Sequence, residues 1–224
     1  MKNIRILFAN QKGGVGKTRL CMMFANYLAS INKKVLVIDS DLQKSIWMQR
    51  QSDEKTFPDE EAPYNVQLYG IESPQAVQEM MESAKQVPGV VLFDTPGNLT
   101  EDGLIPLFVN AEAIICPYQY DNMTLDSTGT FLSVISRLRE KYHQMDAKMF
   151  LVPNRVDSRV GRRNEQKLWA QADMIFSKFG MVTPRVLSRA NIQRSDTYHF
   201  SAEDYRSTQD CFEFLMKELI NKRK

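Results

Sequence analysis

The sequence predicts a doubly wound, mostly parallel α/β sheet flanked by helices. Two observations lead to this prediction: short apolar, β-branched runs recur along the chain, and longer segments of helical periodicity separate them. Continuous apolar runs are typical of strands buried on both faces, as in a parallel sheet. Alternation of strands and helices implies right-handed crossovers, and such sheets bind ligands beyond the carboxyl ends of their strands.

The predicted elements follow one another without a linker, so we expect residues 1–224 to form a single domain. Segment 51–64 breaks the alternation, because it carries five acids, one lysine and two prolines, and it predicts an exposed loop or short insertion. The predicted strands are residues 4–9, 35–39, 90–94, 113–117, 149–153 and 182–187. The predicted helices are residues 17–31, 74–86, 125–142, 162–179 and 202–221.

Composition narrows the class of protein. With 43% hydrophobic and 25% charged residues, the chain is typical of a globular protein, which excludes disordered and collagen-like classes. No apolar run approaches the roughly 18–20 residues that cross a bilayer, and no signal-peptide pattern is present. Cys21, Cys116 and Cys211 lie far apart, which indicates small buried residues in a reducing cytoplasm and argues against a zinc or iron–sulfur site within one chain.

A glycine-rich loop, KGGVGKT at residues 12–18, follows the first predicted strand and opens the first predicted helix. Its glycines let successive backbone N–H groups point at phosphate oxygens, beside the positive end of the helix dipole. Lys17 would place its charge on the β- and γ-phosphates, and the Thr18 hydroxyl would bind Mg²⁺. Gln11 stands where the strict phosphate-loop pattern has its first glycine.

The doubled lysine of KGGVGKT resembles the deviant Walker A motif of the ParA/MinD ATPase family, in particular its small ParA-type partition ATPases. The resemblance implies the fold of a P-loop NTPase of the deviant Walker A class, with ATP and Mg²⁺ as cofactors. It also implies an ATP-dependent homodimer in which Lys12 acts on the partner's nucleotide and Lys17 on its own. The loop residues implied to bind nucleotide are Gly13, Gly14, Val15, Gly16, Lys17 and Thr18.

Acidic residues end two of the predicted strands. Asp39 and Asp41 close the second strand, and Asp94 closes the third. Carboxylates suit Mg²⁺, often through water. The resemblance implies that Thr18, Asp39 and Asp94 form the magnesium shell and that Asp41 positions the attacking water. The family usually reads D-x-D-P-Q, whereas Leu42 replaces that proline here and leaves the hydrolysis rate open.

Two further residues bear on the rest of the nucleotide. Arg19, in the first helical turn, could reach the α-phosphate or simply be solvated, and the resemblance places Asn154 at the adenine edge. Residues 94–97 fit the D-x-x-G pattern of GTPases, and residues 154–157 approach their N-K-x-D pattern. The doubled lysine and the two acids of the second strand favour ATP.

Positive charge is concentrated in the last third of the chain. Residues 155–194 contain nine basic and three acidic residues, within a chain of net charge +2. Such a patch can neutralise DNA phosphates without reading sequence, although a solvated face is the alternative. The resemblance implies that the ATP-bound dimer binds non-specific DNA through this half. The candidates are Arg159, Arg162, Arg163, Arg189 and Arg194.

These observations lead to one principal hypothesis: a cytoplasmic Mg²⁺-dependent ATPase switch that partitions or positions a chromosome, plasmid or mobile element. Only about ten residues precede the phosphate loop, so we expect no N-terminal helix-turn-helix and a separate site-specific DNA-binding partner that stimulates hydrolysis. A MinD-like membrane-associated ATPase is the first alternative, because residues 211–224 are amphipathic, although a helix docked on the fold is favoured. A P-loop small-molecule kinase or ligase is the second.

Overall fold

A parallel β-sheet forms the centre of the fold in the computed structural model, which describes residues 3–71, 73–97, 102–157 and 163–221. Its seven strands are β1 (Ile4–Phe8), β2 (Val35–Asp39), β3 (Asn65–Leu68), β4 (Val90–Asp94), β5 (Ala113–Tyr118), β6 (Lys148–Pro153) and β7 (Met181–Val182). They lie in the order β3-β2-β4-β1-β5-β6-β7, and every pairing is parallel. Sequence neighbours are therefore joined by helical crossovers.

Helices cover both faces of this sheet. They are α1 (Lys17–Ser30), α2 (Ser45–Thr56), α3 (Pro74–Ala84), α4 (Ile105–Asn110), α5 (Asn122–Lys141), α6 (Arg163–Phe176), α7 (Ala190–Arg194) and α8 (Ala202–Met216). A 3₁₀ turn (Asp102–Leu104) precedes α4, and a π-helical turn (Lys217–Asn221) follows α8. Alternate residues of β1 point to opposite faces: Ile6 packs with α1 and α8, and Leu7 with α3, α4 and α5. The predicted doubly wound fold is confirmed.

Five of the six predicted strands have their bounds within one residue of the observed ones. The sixth, predicted over 182–187, is wrong in extent, because its ladder is only Met181–Val182, with an isolated bridge between Val156 and Leu187. Pro184 interrupts this segment and has no N–H to donate to the neighbouring strand. The strand β3 was not predicted, because it has only four residues, lies largely exposed at the sheet edge and lacks the continuous apolar run of the other strands.

The prediction of a loop over 51–64 is wrong for its first six residues, which form the second half of α2. The charges of this stretch suggested solvent, but Asp53 is buried and bonds to Thr197. Tertiary contacts therefore hold the helix where local composition favours none. Residue 162, the predicted start of the fourth helix, lies outside the described residues.

The amphipathic C-terminal segment packs its apolar face into the core. Phe212, Leu215 and Leu219 are each 1% exposed, and the rings of Phe212 and Phe24 of α1 meet edge-on with centroids 5.2 Å apart. Within the described residues, no helix has the length and apolar character to cross a membrane. The apolar surface that suggested membrane contact is thus used in the core.

Candidate functional site

A cleft of about 580 Å³ opens at the carboxyl ends of β1, β2, β4 and β6. Residues within 13–22, 41–49 and 96–97 line it, together with Arg155. The glycine-rich loop lies on one side and the segment after β2 on the other. The fold thus brings the predicted phosphate loop and the segments that follow two of the acidic strand ends to one place.

The phosphate loop has a shape that only glycine adopts easily at two positions. Gly14 and Gly16 have φ values of 81° and 94°, in the left-handed region. A Cβ at Gly16 would lie 2.4 Å from Nδ2 of Asn154, and this Nδ2 donates to the Val15 carbonyl over 2.7 Å. Both the backbone angle and the close approach of Asn154 therefore require glycine at residue 16.

Residues that the sequence analysis did not identify hold the loop from outside. Asn10 donates to the Pro117 carbonyl (2.8 Å) and to the Thr128 hydroxyl (3.0 Å), and its Oδ1 accepts the Lys12 N–H. Pro117 and Thr128 lie 107 and 118 positions from Asn10, and no motif spacing signals these contacts. The loop is therefore braced by the neighbouring strand end β5 and by helix α5.

The carbonyl of Gly14 accepts two hydrogen bonds from beyond the loop. Arg155 donates from Nη1 over 2.7 Å, and Gln119 donates from Nε2 over 3.2 Å. Arg155 itself has a φ of 54°, which is uncommon for a residue with a side chain and places its guanidinium at the cleft. Both residues therefore fix the Gly14 carbonyl from outside the loop.

Lys17 begins α1 and reaches into the cleft with its side chain almost covered. Burial lowers the pKa of its amino group, and the negative charges of Asp94 and Asp41 oppose this effect. A Cβ at Gly97 would lie 3.4 Å from the Lys17 Nζ, so the glycine after β4 allows the lysine to lie close to the backbone. The amino group therefore sits between the loop and the end of β4.

Asp94 is fully buried, and neither of its carboxylate oxygens has a hydrogen-bond partner among the described residues. Burial raises the pKa of Asp94 to about 8, while the nearby Thr18 hydroxyl and Lys17 moderate the rise. Buried carboxylate oxygens are normally satisfied. Two unpartnered oxygens beside the Thr18 hydroxyl fit a hard cation such as Mg²⁺, which prefers oxygen ligands.

Asp39, at the end of the adjacent strand, is equally buried but has partners. Its Oδ2 accepts the N–H groups of Ile46 and Trp47, each at 3.0 Å, and its Oδ1 accepts that of Asp41 at 3.3 Å. Burial raises its pKa, and these backbone hydrogen bonds oppose the rise. Asp39 therefore holds the first turn of α2 at the cleft, a role that its position in the sequence did not reveal.

The remaining predicted site residues lie around the cleft in different ways. Asp41 lines it half-exposed and accepts the Gln43 N–H. Lys12 is half-buried on the loop and is not among the lining residues. Arg19 lines the cleft, but its Nη1 donates to the Ser195 carbonyl over 2.8 Å, and burial and Arg155 lower its pKa. A contact of Arg19 with an α-phosphate stays a prediction.

The predicted basic patch is described in part. Arg159 and Arg162 lie outside the described residues, as does the side chain of Arg163, which begins α6. Arg189 precedes α7 directly, and Arg194 ends it; both side chains are exposed. The short helix α7 thus carries an exposed arginine at each end.

A parallel sheet with a glycine loop, a buried lysine after it and acids at adjacent strand ends defines the class of nucleotide-binding P-loop α/β proteins. Within this class, a family model described as the CobQ/CobB/MinD/ParA nucleotide-binding domain matches residues 6–191. The chain belongs to that family, and the resemblance inferred from KGGVGKT is confirmed.

Curated relatives match parts of the chain. The chromosome-partitioning ATPase Soj of Thermus thermophilus is 56% identical over 39 residues, 17% of this chain and 16% of Soj. An uncharacterised protein of Pseudomonas putida is 27% identical over 159 residues, 65% of this chain and 60% of that protein. The matched segments span less than two thirds of either relative.

Several solved structures share the fold. Apo McdA of Cyanothece superposes with a TM-score of 0.74, at 16% identity and with 97% of this chain and 99% of McdA covered. A plasmid partition protein of Borrelia burgdorferi bound to AMPPNP has a TM-score of 0.71 at 16% identity, covering 97% and 100%. A chain of the MinC:MinD complex of Aquifex aeolicus has a TM-score of 0.68 at 16% identity, covering 97% of both chains.

Proposed function

We propose that this protein is a Mg²⁺-dependent ATPase switch that cycles between an ATP-bound dimer and a released state. The observation that carries the proposal is the pairing, at one phosphate loop, of the buried Lys17 amino group with the unpartnered carboxylate of Asp94. A lysine placed for phosphate oxygens and a buried acid placed for a cation are the two parts that phosphoryl transfer needs at its start.

Each residue of the cleft takes a defined role in this proposal. Lys17 binds the nucleotide's own β- and γ-phosphates, and the loop from Gly13 to Thr18 surrounds them with amides. Thr18 and Asp94 would bind Mg²⁺ directly, and Asp39, whose oxygens already accept backbone N–H groups, would contribute to the magnesium shell through water. The bound cation would neutralise charge on the phosphates. Asp41 is half-exposed at the cleft, where a carboxylate can orient an attacking water.

The geometry of Asn154 supports adenine as the base. Its Nδ2 donates to the Val15 carbonyl, which can only accept, so this hydrogen bond determines the orientation of the amide. Its Oδ1 atom and its second Nδ2 hydrogen are not used by this bond, and Oδ1 can accept from the amino group of adenine.

Two features support a dimer that closes over the nucleotide. Lys12 is on the phosphate loop but outside the lining of its own cleft, so we assign it to the nucleotide of a second copy. Leu42 and Met123 are 81% and 70% exposed near the same face. Apolar side chains this exposed gain from burial against another surface.

In the ATP-bound state the dimer binds DNA non-specifically, through exposed arginines that include Arg189 and Arg194 at the two ends of α7. This DNA binding is the readout of the switch. A separate DNA-binding partner supplies site recognition and stimulates hydrolysis, and the ATPase partitions or positions a DNA cargo in the cytoplasm. The packed apolar face of α8 gives no support to the membrane-associated alternative.

Titration with a fluorescent ATP analogue in Mg²⁺ tests the nucleotide site. The Lys17→Ala variant should lose affinity by about 100-fold, because a charged hydrogen bond contributes up to about 3 kcal/mol. Lys55→Ala, which removes an exposed lysine of α2, serves as the matched control and should bind like the wild type. Unchanged affinity in Lys17→Ala would overturn the assignment of the phosphate loop.

Anisotropy of a random-sequence DNA duplex tests the readout. The Asp41→Ala protein, which should bind ATP without hydrolysing it, is titrated with Mg²⁺ and either ATP or ADP across a salt series. We expect binding with ATP only, weakening steeply as salt rises because counterions are released from the DNA. An ATP-dependent dimer that binds no DNA would contradict this part of the proposal.

A further inference from the structure

Residues 195–199, which connect α7 to α8, are held by a buried polar network against the two helices that line the cleft. We propose that these five residues, named here the 195–199 clasp, couple occupancy of the cleft to the position of α7. The inference rests on the proposed function, because it takes the cleft as the nucleotide site and the arginines of α7 as its readout.

On the α2 side, the clasp is centred on Thr197, which is fully buried. Arg50 donates from Nε to the Thr197 hydroxyl (2.8 Å) and from Nη2 to its carbonyl (2.9 Å). Oδ2 of Asp53 accepts the Thr197 N–H (2.7 Å) and the same hydroxyl (2.8 Å). One hydroxyl thus bridges a cation and a carboxylate that both lie on α2 and are 3% and 5% exposed.

On the α1 side, the clasp is held through its backbone carbonyls. Asn26 donates from Nδ2 to the carbonyls of Asp196 (2.8 Å) and His199 (2.9 Å). Arg19 donates to the Ser195 carbonyl over 2.8 Å. Three of the five residues are therefore tied to the helix that begins at the phosphate loop.

The same two helices form the walls of the cleft. Ser45, Ile46 and Gln49 of α2 line it. Gln49 directly precedes Arg50, which binds Thr197 of the clasp. The first turn of α2 is in turn bound by Asp39 at the end of β2. Arg19 lines the cleft and holds the clasp with one side chain. A change in the position of α2 or of the Arg19 guanidinium therefore reaches residues 195–199 without an intermediate element.

Two physical properties make the coupling concerted. The charges of Arg50 and Asp53 are buried, and leaving either unpaired in a low-dielectric interior is costly, so the network moves as a unit. The helix α7 has no buried residue of its own, and its last residue, Arg194, directly precedes the clasp. Ile192 of α7 packs partly buried against the core, and Asn191 donates to Asp204 of α8, so a shift of residues 195–199 acts first on the C-terminal end of α7, at Arg194.

A substitution at the exposed end of the clasp, His199, should disturb the fold less than one at Thr197. His199 is exposed and faces two acids, with Nε2 3.0 Å from Glu60 and Nδ1 3.1 Å from Asp196. Replacing the His199 side chain removes these two polar contacts and an edge-on contact with the Phe57 ring, but none of the buried hydrogen bonds of Thr197. The variant His199→Gln should therefore fold even where a change at buried Thr197 is less well tolerated.

Hydrogen–deuterium exchange of the 224-residue chain, with and without Mg²⁺ and ATP, tests the coupling. In the wild type, amides within 188–200 should change their exchange rate by at least about twofold when ATP binds. Thr197→Val should lose this response and keep ATP affinity within about threefold of the wild type. His199→Gln should reduce the response in part.

Thr130→Val is the matched control, because the hydroxyl of this exposed α5 threonine bonds only to its own helix, at Asp126. It should respond as the wild type does. If the wild type binds ATP and the exchange rates of the amides within 188–200 do not change, the coupling is overturned and the proposed function remains intact. A wild-type response in Thr197→Val, or in His199→Gln should Thr197→Val fail to fold, overturns the role of the clasp. A wild type that binds no ATP overturns the proposed function and the coupling with it.

Discussion

Asp39 and Asp94 end two adjacent parallel strands and are direct register neighbours, yet their carboxylates are used in opposite ways. Both side chains are 0% exposed. Asp39 accepts three backbone N–H groups, whereas neither oxygen of Asp94 meets a described donor at hydrogen-bond geometry. The Asp39 carboxylate is hydrogen-bonded within the protein and positions α2. The Asp94 carboxylate has no such partner and is available to a ligand.

The comparison shows that position at a strand end does not by itself determine the function of an acid. The chain after β2 curls so that the amides of α2 reach back to Asp39, whereas no N–H of the described residues bonds to the Asp94 carboxylate. A carboxylate without partners in a buried site is destabilising for the empty protein. Asp94 therefore carries a cost that a bound cation would offset.

The largest effect should come from Asp94→Asn in metal-free buffer, which we expect to raise the free energy of unfolding by about 2–5 kcal/mol at pH 8. The pKa of Asp94 is raised by burial to about 8 in the folded chain, against 3.8 ordinarily. The folded state then binds more protons than the unfolded state between these values. Stability should therefore fall as pH rises from about 4 to about 8.

Chemical denaturation at pH 5 and pH 8, with chelator present, measures this effect. The gain from Asp94→Asn should be larger at pH 8, because the wild-type carboxyl is then closer to ionised. Asp126→Asn, an exposed acid of α5, is the control and should change little at either pH. A destabilised Asp94→Asn protein in chelator would show that the Asp94 carboxylate has partners of its own.

An intermediate effect of the opposite sign is expected for Asp39→Ala, which should lower the free energy of unfolding by about 2–3 kcal/mol. The substitution leaves the amides of Ile46 and Trp47 without their acceptor at the start of α2. Asp39→Asn retains one acceptor oxygen and should cost about 1 kcal/mol. Urea denaturation of the three proteins gives the ranking, and equal stability of Asp39→Ala and wild type would remove the contrast between the two acids.

The smallest effect is expected at Arg155, which supports the loop from its outer face. Arg155→Met should weaken ATP binding by about three- to fivefold, because one hydrogen bond to Gly14 is lost while that from Gln119 remains. Arg137→Met, at an exposed arginine of α5, is the control. A loss of 100-fold or more would mean that Arg155 contacts the nucleotide directly.

The sequence was sufficient for the parts of the fold and site that depend on local pattern. The glycine loop, Lys17 and the acids at the ends of β2 and β4 occupy contiguous motifs, and their strands are buried apolar runs. Parallel pairing then brings these motifs to one edge of the sheet. The hydrogen-bond partners of Asp39 could not be predicted in this way, because these contacts depend on how the chain turns after the strand.

The contacts that escaped prediction join residues far apart in sequence. Asn10 meets Thr128 across 118 positions, Asn154 meets Val15 across 139, and Asp53 meets Thr197 across 144. Such contacts leave no periodicity or spacing. The wrong prediction of a loop at residues 51–56 has the same cause, because Thr197, which bonds to the buried Asp53, lies near the other end of the chain.

The tethering of the phosphate loop has a kinetic consequence. The Lys12 N–H and the carbonyls of Gly14 and Val15 are already bonded to Asn10, Arg155 and Asn154, all from outside the loop. A loop fixed in advance loses little conformational entropy when a ligand arrives, so encounter need not wait for it to order. Differences in affinity among nucleotides should then appear as differences in their residence times rather than in their rates of association.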